Sequence, residues 1–283
     1  MINYIIQGLG PWRTVIAIYL SFSVWNYAML VCLVGQCRSL RGPLLMLLLW
    51  FLMNKTRFRD WKVLCWNVRG LNSEARQLTV RQKVDKSGCS VVCLQKTKCM
   101  HIDQRFIRKF CPMCFDNFAY VPSIGASAGM VVIWNSSFFI GNLIEAKPYG
   151  IIVEFKSKHT SETWSLVSIY GPCQGSACDD FVQWLYNLDI QFGENWLLLG
   201  NFNFMRSLEN RNLPGGDVND IFLFNEIIGH LGLVELPIKG SQYTWSNMQT
   251  TPLLEHIDWV FTLIARTSDH PNTMVFSSCT HYL

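Results

Sequence analysis

The sequence lacks most of the features that would settle its class at a glance. Charged residues make up only 16% of its 283 residues, and the net charge is +4. Its basic residues are spread along the chain, so no polycationic arm marks a nucleic-acid partner by charge alone. There is no internal repeat and no low-complexity stretch, which excludes a solenoid and a compositionally disordered chain. The 11 cysteines are many, but their number is odd and their spacing irregular, so a secreted disulfide scaffold is a poor fit. Cys111-Pro112-Met113-Cys114 is a CxxC pair, yet no second pair or CxxH follows at zinc-finger spacing. Cys65, Cys89 and Cys93 lie in apolar runs, where a free thiol behaves as a small hydrophobe. A reducing compartment is the simpler reading.

Apolar mass is plentiful. Half of the residues are hydrophobic and 13% are aromatic, enough for one large core or two small ones. The distribution is uneven. Thr14 to Val34 is nearly all apolar, interrupted mainly by Asn26, and is long enough to span a bilayer. A second run, Pro43 to Met53, is shorter. Arg38, Arg41, Lys55, Arg57, Arg59 and Lys62 follow, which by the positive-inside tendency places the downstream part in the cytosol. No signal-peptidase motif stands out near Gly35. Three readings stay open for this segment: a membrane anchor, a non-native leader, or a helical extension docked on the domain. All three divide the chain into a hydrophobic extension, 1–58, and a folded domain, 59–283.

The body reads as α/β. Strand character is expected at Lys62–Val68, Cys89–Leu94, Met130–Trp134, Ile151–Phe155, Thr163–Tyr170, Trp196–Leu199, Tyr243–Trp245 and Ile257–Phe261. Helices are expected over Glu74–Lys86, capped by Asn72 or Ser73, and over His101–Phe110. A third is expected from Asp179 to Phe192, with Phe181, Leu185, Leu188 and Phe192 on one stripe. A fourth is capped by Asp217 or Asn219 and carries Ile221, Phe224, Ile228 and Leu231 on one face. Two β-rich blocks flanked by helices imply two packed sheets with helices outside.

Four short segments occur in a fixed order: Trp66-Asn67-Val68-Arg69-Gly70, Leu94-Gln95-Lys96-Thr97-Lys98, Ile169-Tyr170-Gly171-Pro172 and Gly200-Asn201-Phe202-Asn203. With Gly129-Met130-Val131-Val132-Ile133-Trp134, Trp196-Leu197-Leu198-Leu199 and Tyr243-Thr244-Trp245-Ser246, they resemble the endonuclease/exonuclease/phosphatase (DNase I-like) family. More narrowly, they resemble the endonuclease domain of plant LINE-type non-LTR retrotransposon polyproteins. The resemblance covers roughly Lys62 to Phe261. It implies a four-layer α-β-β-α sandwich, a Mg2+ cofactor and DNA as substrate.

The resemblance also assigns roles. Asn67 matches a residue that positions phosphate and metal. Tyr170 matches the tyrosine on the scissile phosphate, and Asn203 an asparagine that donates to the transition state. Asp258 matches an aspartate that orients a histidine. Lys96 stands at the place of the metal-binding glutamate, and Asn201 at the place of an aspartate that orients or deprotonates the attacking water. Ser268-Asp269-His270 matches the family's terminal motif in letters, but it lies about ten residues after Asp258, too close for a strand, a turn and another strand. Asp269 and His270 are therefore read as a coincidence, and the domain is expected to be truncated at its C-terminus. A site with an ammonium for a carboxylate, and without a general base, implies impaired catalysis. The alternatives are a non-catalytic nucleic-acid-binding remnant, or a membrane-anchored protein of the phosphatase branch.

Overall fold

The computed structural model describes residues 3–8, 61–124, 128–160, 162–173, 175–190 and 195–277. In chain order the elements are β1 (Asn3–Gly8), β2 (Trp61–Asn67), α1 (Glu74–Ser87), β3 (Val91–Gln95), α2 (Gln104–Ile107), β4 (Phe115–Val121), β5 (Met130–Asn135), β6 (Phe139–Lys147), β7 (Gly150–Ser157) and β8 (Thr163–Tyr170). They continue with α3 (Ser176–Tyr186), β9 (Trp196–Asn201), α4 (Val218–His230), β10 (Leu233–Glu235), β11 (Ile238–Lys239), β12 (Trp245–Ser246), β13 (Leu254–Glu255), β14 (Asp258–Leu263), α5 (Ile264–Asp269) and β15 (Met274–Ser277).

Two sheets carry the fold. One runs β11-β15-β1-β2-β3-β5-β4 and the other β10-β14-β9-β8-β7-β6. Strand alternation explains why the central strands of both sheets are dry on both faces. Val63, Cys65, Val91, Cys93, Met130 and Val132 point inward and meet Val153, Phe155, Leu166, Leu197, Leu199 and Val260 of the other sheet. Their neighbours Leu64, Val92, Leu94, Val131 and Ile133 point outward and pack on Val80 and Val84 of α1 and on Ile107 and Phe110 around α2. On the far side, Val167, Ile169, Leu198, Trp259 and Phe261 pack on Phe181 and Leu185 of α3 and on Phe224, Ile227 and Ile228 of α4. The order of layers is therefore α-β-β-α. Burial on both faces accounts for the continuous apolar runs at Val91–Leu94 and Trp196–Leu199.

The helices start where their caps allow. Ser73 Oγ accepts from Arg76 N, and Gly88 at φ 60° ends α1. Asp217 caps α4 by accepting from Asn219 N. Two expected helices are shorter than the sequence suggests. The segment His101–Phe110 holds only α2, because Arg108 Nη1 turns to Pro112 O and Phe115 O and the chain leaves the helical path there. The third helix runs Ser176–Tyr186 rather than from Asp179; Leu188 is buried beyond its end, and Phe192 lies outside the described residues.

Six residues of the expected extension belong to a sheet. β1 pairs antiparallel with β2, from Asn3↔Trp66 to Gly8↔Trp61, and antiparallel with β15, from Tyr4↔Ser277 to Gln7↔Met274. It joins β15 and β11 to the rest of their sheet. The apolar run Thr14–Val34 lies outside the described residues. Among the described residues no helix is long and apolar enough to cross a membrane.

Candidate functional site

Inward-facing residues at one end of the sandwich run out of apolar character together. Asn67 continues the inward set of Val63 and Cys65, and Gln95 continues that of Val91 and Cys93. Asn201 follows Leu197 and Leu199, and Asp258 precedes Val260 on the same face. Register holds them side by side. Asn67 is the partner of Gln95 in one sheet; Tyr170, Asn201 and Asp258 are successive partners across β8, β9 and β14 in the other. The period of two thus delivers five polar side chains to one rim from five strands.

The two sheets are stitched there. Gln95 Nε2 donates to Ile169 O across the sandwich at 2.7 Å. Just beyond, the chain leaves β3 through Lys96 and Lys98, both at positive φ (54° and 55°), separated by fully buried Thr97. Arg69 (53°) and Asn203 (58°) share this conformation. Left-handed non-glycine residues carry a strain cost and gather where a site over-determines the backbone. Asn203 Nδ2 donates to Gly171 O, which ties the segment after β9 to the segment after Tyr170.

The electrostatics are unusual for a rim of this composition. Lys96 Nζ lies over the Tyr170 ring, 5.1 Å from its centroid. Among the described residues it has no hydrogen bond or ion pair. Burial lowers its pKa; Arg69 lowers it further, while Cys173 and Asp258 oppose that. Asp258 is 5% exposed, and burial pushes its carboxyl up to about 7 against the pull of Thr244, Lys96 and Asn201. Burial also pushes the Tyr170 hydroxyl well above its usual range, with Cys173 and Asp258 adding to it, so it remains a protonated donor.

Solved structures with this arrangement of layers are numerous. AP endonuclease LMAP from Leishmania major superimposes with a TM-score of 0.56 at 15% identity, covering 72% of this chain and 79% of that one. The endonuclease domain of TRAS1, a telomere-specific non-LTR retrotransposon, gives 0.54 at 14% identity over 77% of this chain and 99% of that domain. The Xenopus laevis APE2 catalytic domain gives 0.51 at 13% identity, over 71% and 82% respectively. This chain shares the DNase I-like fold of these proteins. No protein-family model and no curated protein sequence matches it.

The donors at this DNase I-like rim do not suit a hard divalent cation. Such an ion takes mainly carboxylate oxygens. Here, among the described residues, Asp258 is the acidic side chain, beside the amides of Asn67, Gln95 and Asn201 and the ammonium of Lys96. No group of three His, Cys, Asp or Glu that could hold a metal occurs among the described residues. The Oδ1 atoms of Asn67 and Asn201 are buried without a partner. A dication about 4 Å from Lys96 Nζ would meet a repulsion of about 8 kcal/mol at an effective dielectric of 20.

His270 is not brought to the rim. Its Nε2 meets Glu162 Oε1 at 2.7 Å, just before β8, whereas Tyr170 ends that strand. At about 3.3 Å per residue the two ends are roughly 23 Å apart. The pair is structural. His270, then Arg266, hold the Glu162 carboxyl below its usual range, against burial. A depressed carboxylate contributes stability above its unfolded pKa that is lost as pH falls through the folded one. Glu162→Gln is therefore expected to flatten the acid limb of the stability curve. Equilibrium unfolding of both proteins between neutral and acidic pH measures this, and identical acid limbs would refute it.

Two contributors escape sequence reasoning. Gln95 reads as the end of a buried strand, and its inter-sheet bond becomes visible only once Ile169 is placed opposite. Thr244 Oγ1 accepts from the backbone N–H groups of Ile257 and Asp258, fixing how β14 enters the rim. A cavity of about 360 Å³ lies elsewhere, lined by Arg206, Glu235, His256 and Trp259 among others. Its Arg206–Glu235 ion pair is closed at 2.6 Å, and it includes none of the rim residues.

Proposed function

We propose that this chain is a retroelement-derived DNA endonuclease domain that recognises DNA phosphates and does not cleave them with Mg2+. The observation that carries this reading is Lys96, whose ammonium stands over Tyr170 at the end of β3. The rim therefore has a cation of its own where phosphodiester cleavage would need a metal held by carboxylates. Asn201, in register between Tyr170 and Asp258, cannot take a proton from water. Losing general-base assistance alone costs about 10²–10⁴ in rate. The neutral groups that suit a phosphate (Asn67, Tyr170, Asn203) are still in place. The overlap with the TRAS1 endonuclease domain supports DNA over a lipid or sugar phosphate.

The test is nicking of supercoiled plasmid in Mg2+. None is expected above a buffer control. Nicking that EDTA abolishes and that Asn203→Ala removes would overturn the reading. Weak, salt-sensitive retardation of duplex DNA is expected in the same preparations.

A further inference from the structure

The mismatch between this rim and a divalent cation has a positive side, which rests on the DNA-phosphate reading above. We propose that Lys96 is the resident cation of the rim and holds a phosphodiester phosphate with no metal ion.

Three observations carry this. The first is the unspent ammonium. Lys96 has three donors and, among the described residues, no hydrogen-bond acceptor; its Nζ stands over the Tyr170 ring face. A half-buried cation in this state gains most from an anion, because charge-assisted hydrogen bonds strengthen as water is excluded. The second is the company it keeps. Arg69 and Lys98 are exposed at the same lip. A Cβ on Gly70 would lie 3.4 Å from Lys98 Cδ and 3.0 Å from Arg76 Nη1, which places both side chains against the Gly70 turn. Arg76 Nη1 in turn donates to Arg69 O. Three further cations therefore surround the turn after β2, and Asp258 is the carboxylate that faces Lys96.

The third is the set of neutral groups. The Tyr170 hydroxyl is a protonated donor, and Asn203 Nδ2 has a second hydrogen beyond the one given to Gly171 O. Asn67 is 5% exposed and its Oδ1 has no partner; a half-turn of the amide presents its Nδ2 instead. Ammonium, phenol and two amides make a donor set for phosphate oxygens. With an ammonium among them and Asp258 as the carboxylate of the described rim, they match Mg2+ poorly, since it is held mainly through carboxylates. The left-handed backbone at Arg69, Lys96, Lys98 and Asn203 keeps these groups on the rim in the absence of a ligand.

The experiment follows a labelled duplex by fluorescence anisotropy in EDTA across a salt series, with the full chain. Binding is expected without metal and unchanged by millimolar Mg2+. Lys96→Gln should weaken it about tenfold and make the log–log salt dependence shallower by about one, whereas Lys96→Arg should keep both. Thermal midpoints of all three proteins check that the fold is retained. If binding requires Mg2+, or if Lys96→Gln binds like the parent, the proposal is wrong while DNA recognition can stand on Arg69 and Lys98. If no DNA binds even at low salt, the DNA reading falls. Calorimetry with inorganic phosphate in EDTA then decides for Lys96: heat lost in Lys96→Gln sustains the anion site, and no heat in the parent sinks it.

Discussion

Gly200→Ala is expected to destabilise the domain by about 4 kcal/mol, a large share of the roughly 5–15 kcal/mol typical of a folded protein. Gly200 sits at φ 142° in β9, opposite Ile169. A Cβ there would lie 1.9 Å from Ile169 O and 2.5 Å from Gln95 Nε2. The obstacle is backbone, so no rotamer change relieves it. The atoms it strikes are the two partners of the bond that ties the sheets together. The cost therefore combines overpacking, about 3 kcal/mol, with one buried hydrogen bond, about 1 kcal/mol. Urea unfolding gives the comparison directly, and an unchanged midpoint would show that the sheets are not held this tightly at the rim. Because Tyr170 and Asn201 flank the collision, DNA binding should fall along with stability.

Asp258→Asn should act in the opposite direction. A rise of the carboxyl from 3.8 to about 7 on burial corresponds to about 4 kcal/mol of destabilisation once the group is ionised. The sign follows from which state holds the proton more tightly. The folded pKa is the higher one, so the favourable contribution is complete below about 4 and is lost as pH rises through about 7. The parent should thus lose stability from mild acid to neutrality. Asp258→Asn should keep its stability across that range and be the more stable protein above it. Thermal unfolding at closely spaced pH values tests this; parallel curves for the two proteins would exclude a strained carboxylate at the rim. A fold that tolerates such a group at 5% exposure devotes stability to keeping an acid beside Lys96.

Much of this was legible in the sequence where burial is symmetrical. Central strands such as β3, β5 and β9 are dry on both faces, so their residues appear as apolar runs. Among the strands that gave no such signal, β4 and β6 are each the last strand of their sheet. An edge strand is covered on one side only, and each of these is broken by a register shift, at Phe115/Asn117 and at Leu143/Glu145. β6 also needs Gly141, since a Cβ there would lie 2.6 Å from the Trp134 ring, and a glycine inside a strand reads as a turn. At the rim, Asn67, Tyr170, Asn201 and Asp258 were singled out through the resemblance of their segments to the DNase I-like family, and the structure sets each at the end of a strand. Gln95 and Thr244 were not, because what they do depends on a strand far away in sequence. β1 carried no signal at all: six residues next to a long apolar stretch show nothing of the partners that await them.

That strand has a consequence for how the protein comes into being. During synthesis Asn3–Gly8 appears before both of its neighbours, and one of them, β15, is the last of the described elements. Even pairing with β2 must wait until residues 9–60 have been made. The joint between β2 and β15 therefore closes only once Met274–Ser277 has been made, after most of the sandwich can already have formed around it. Until then the nascent chain presents two open strand edges, each of which the same hexapeptide of a neighbouring nascent chain would fit.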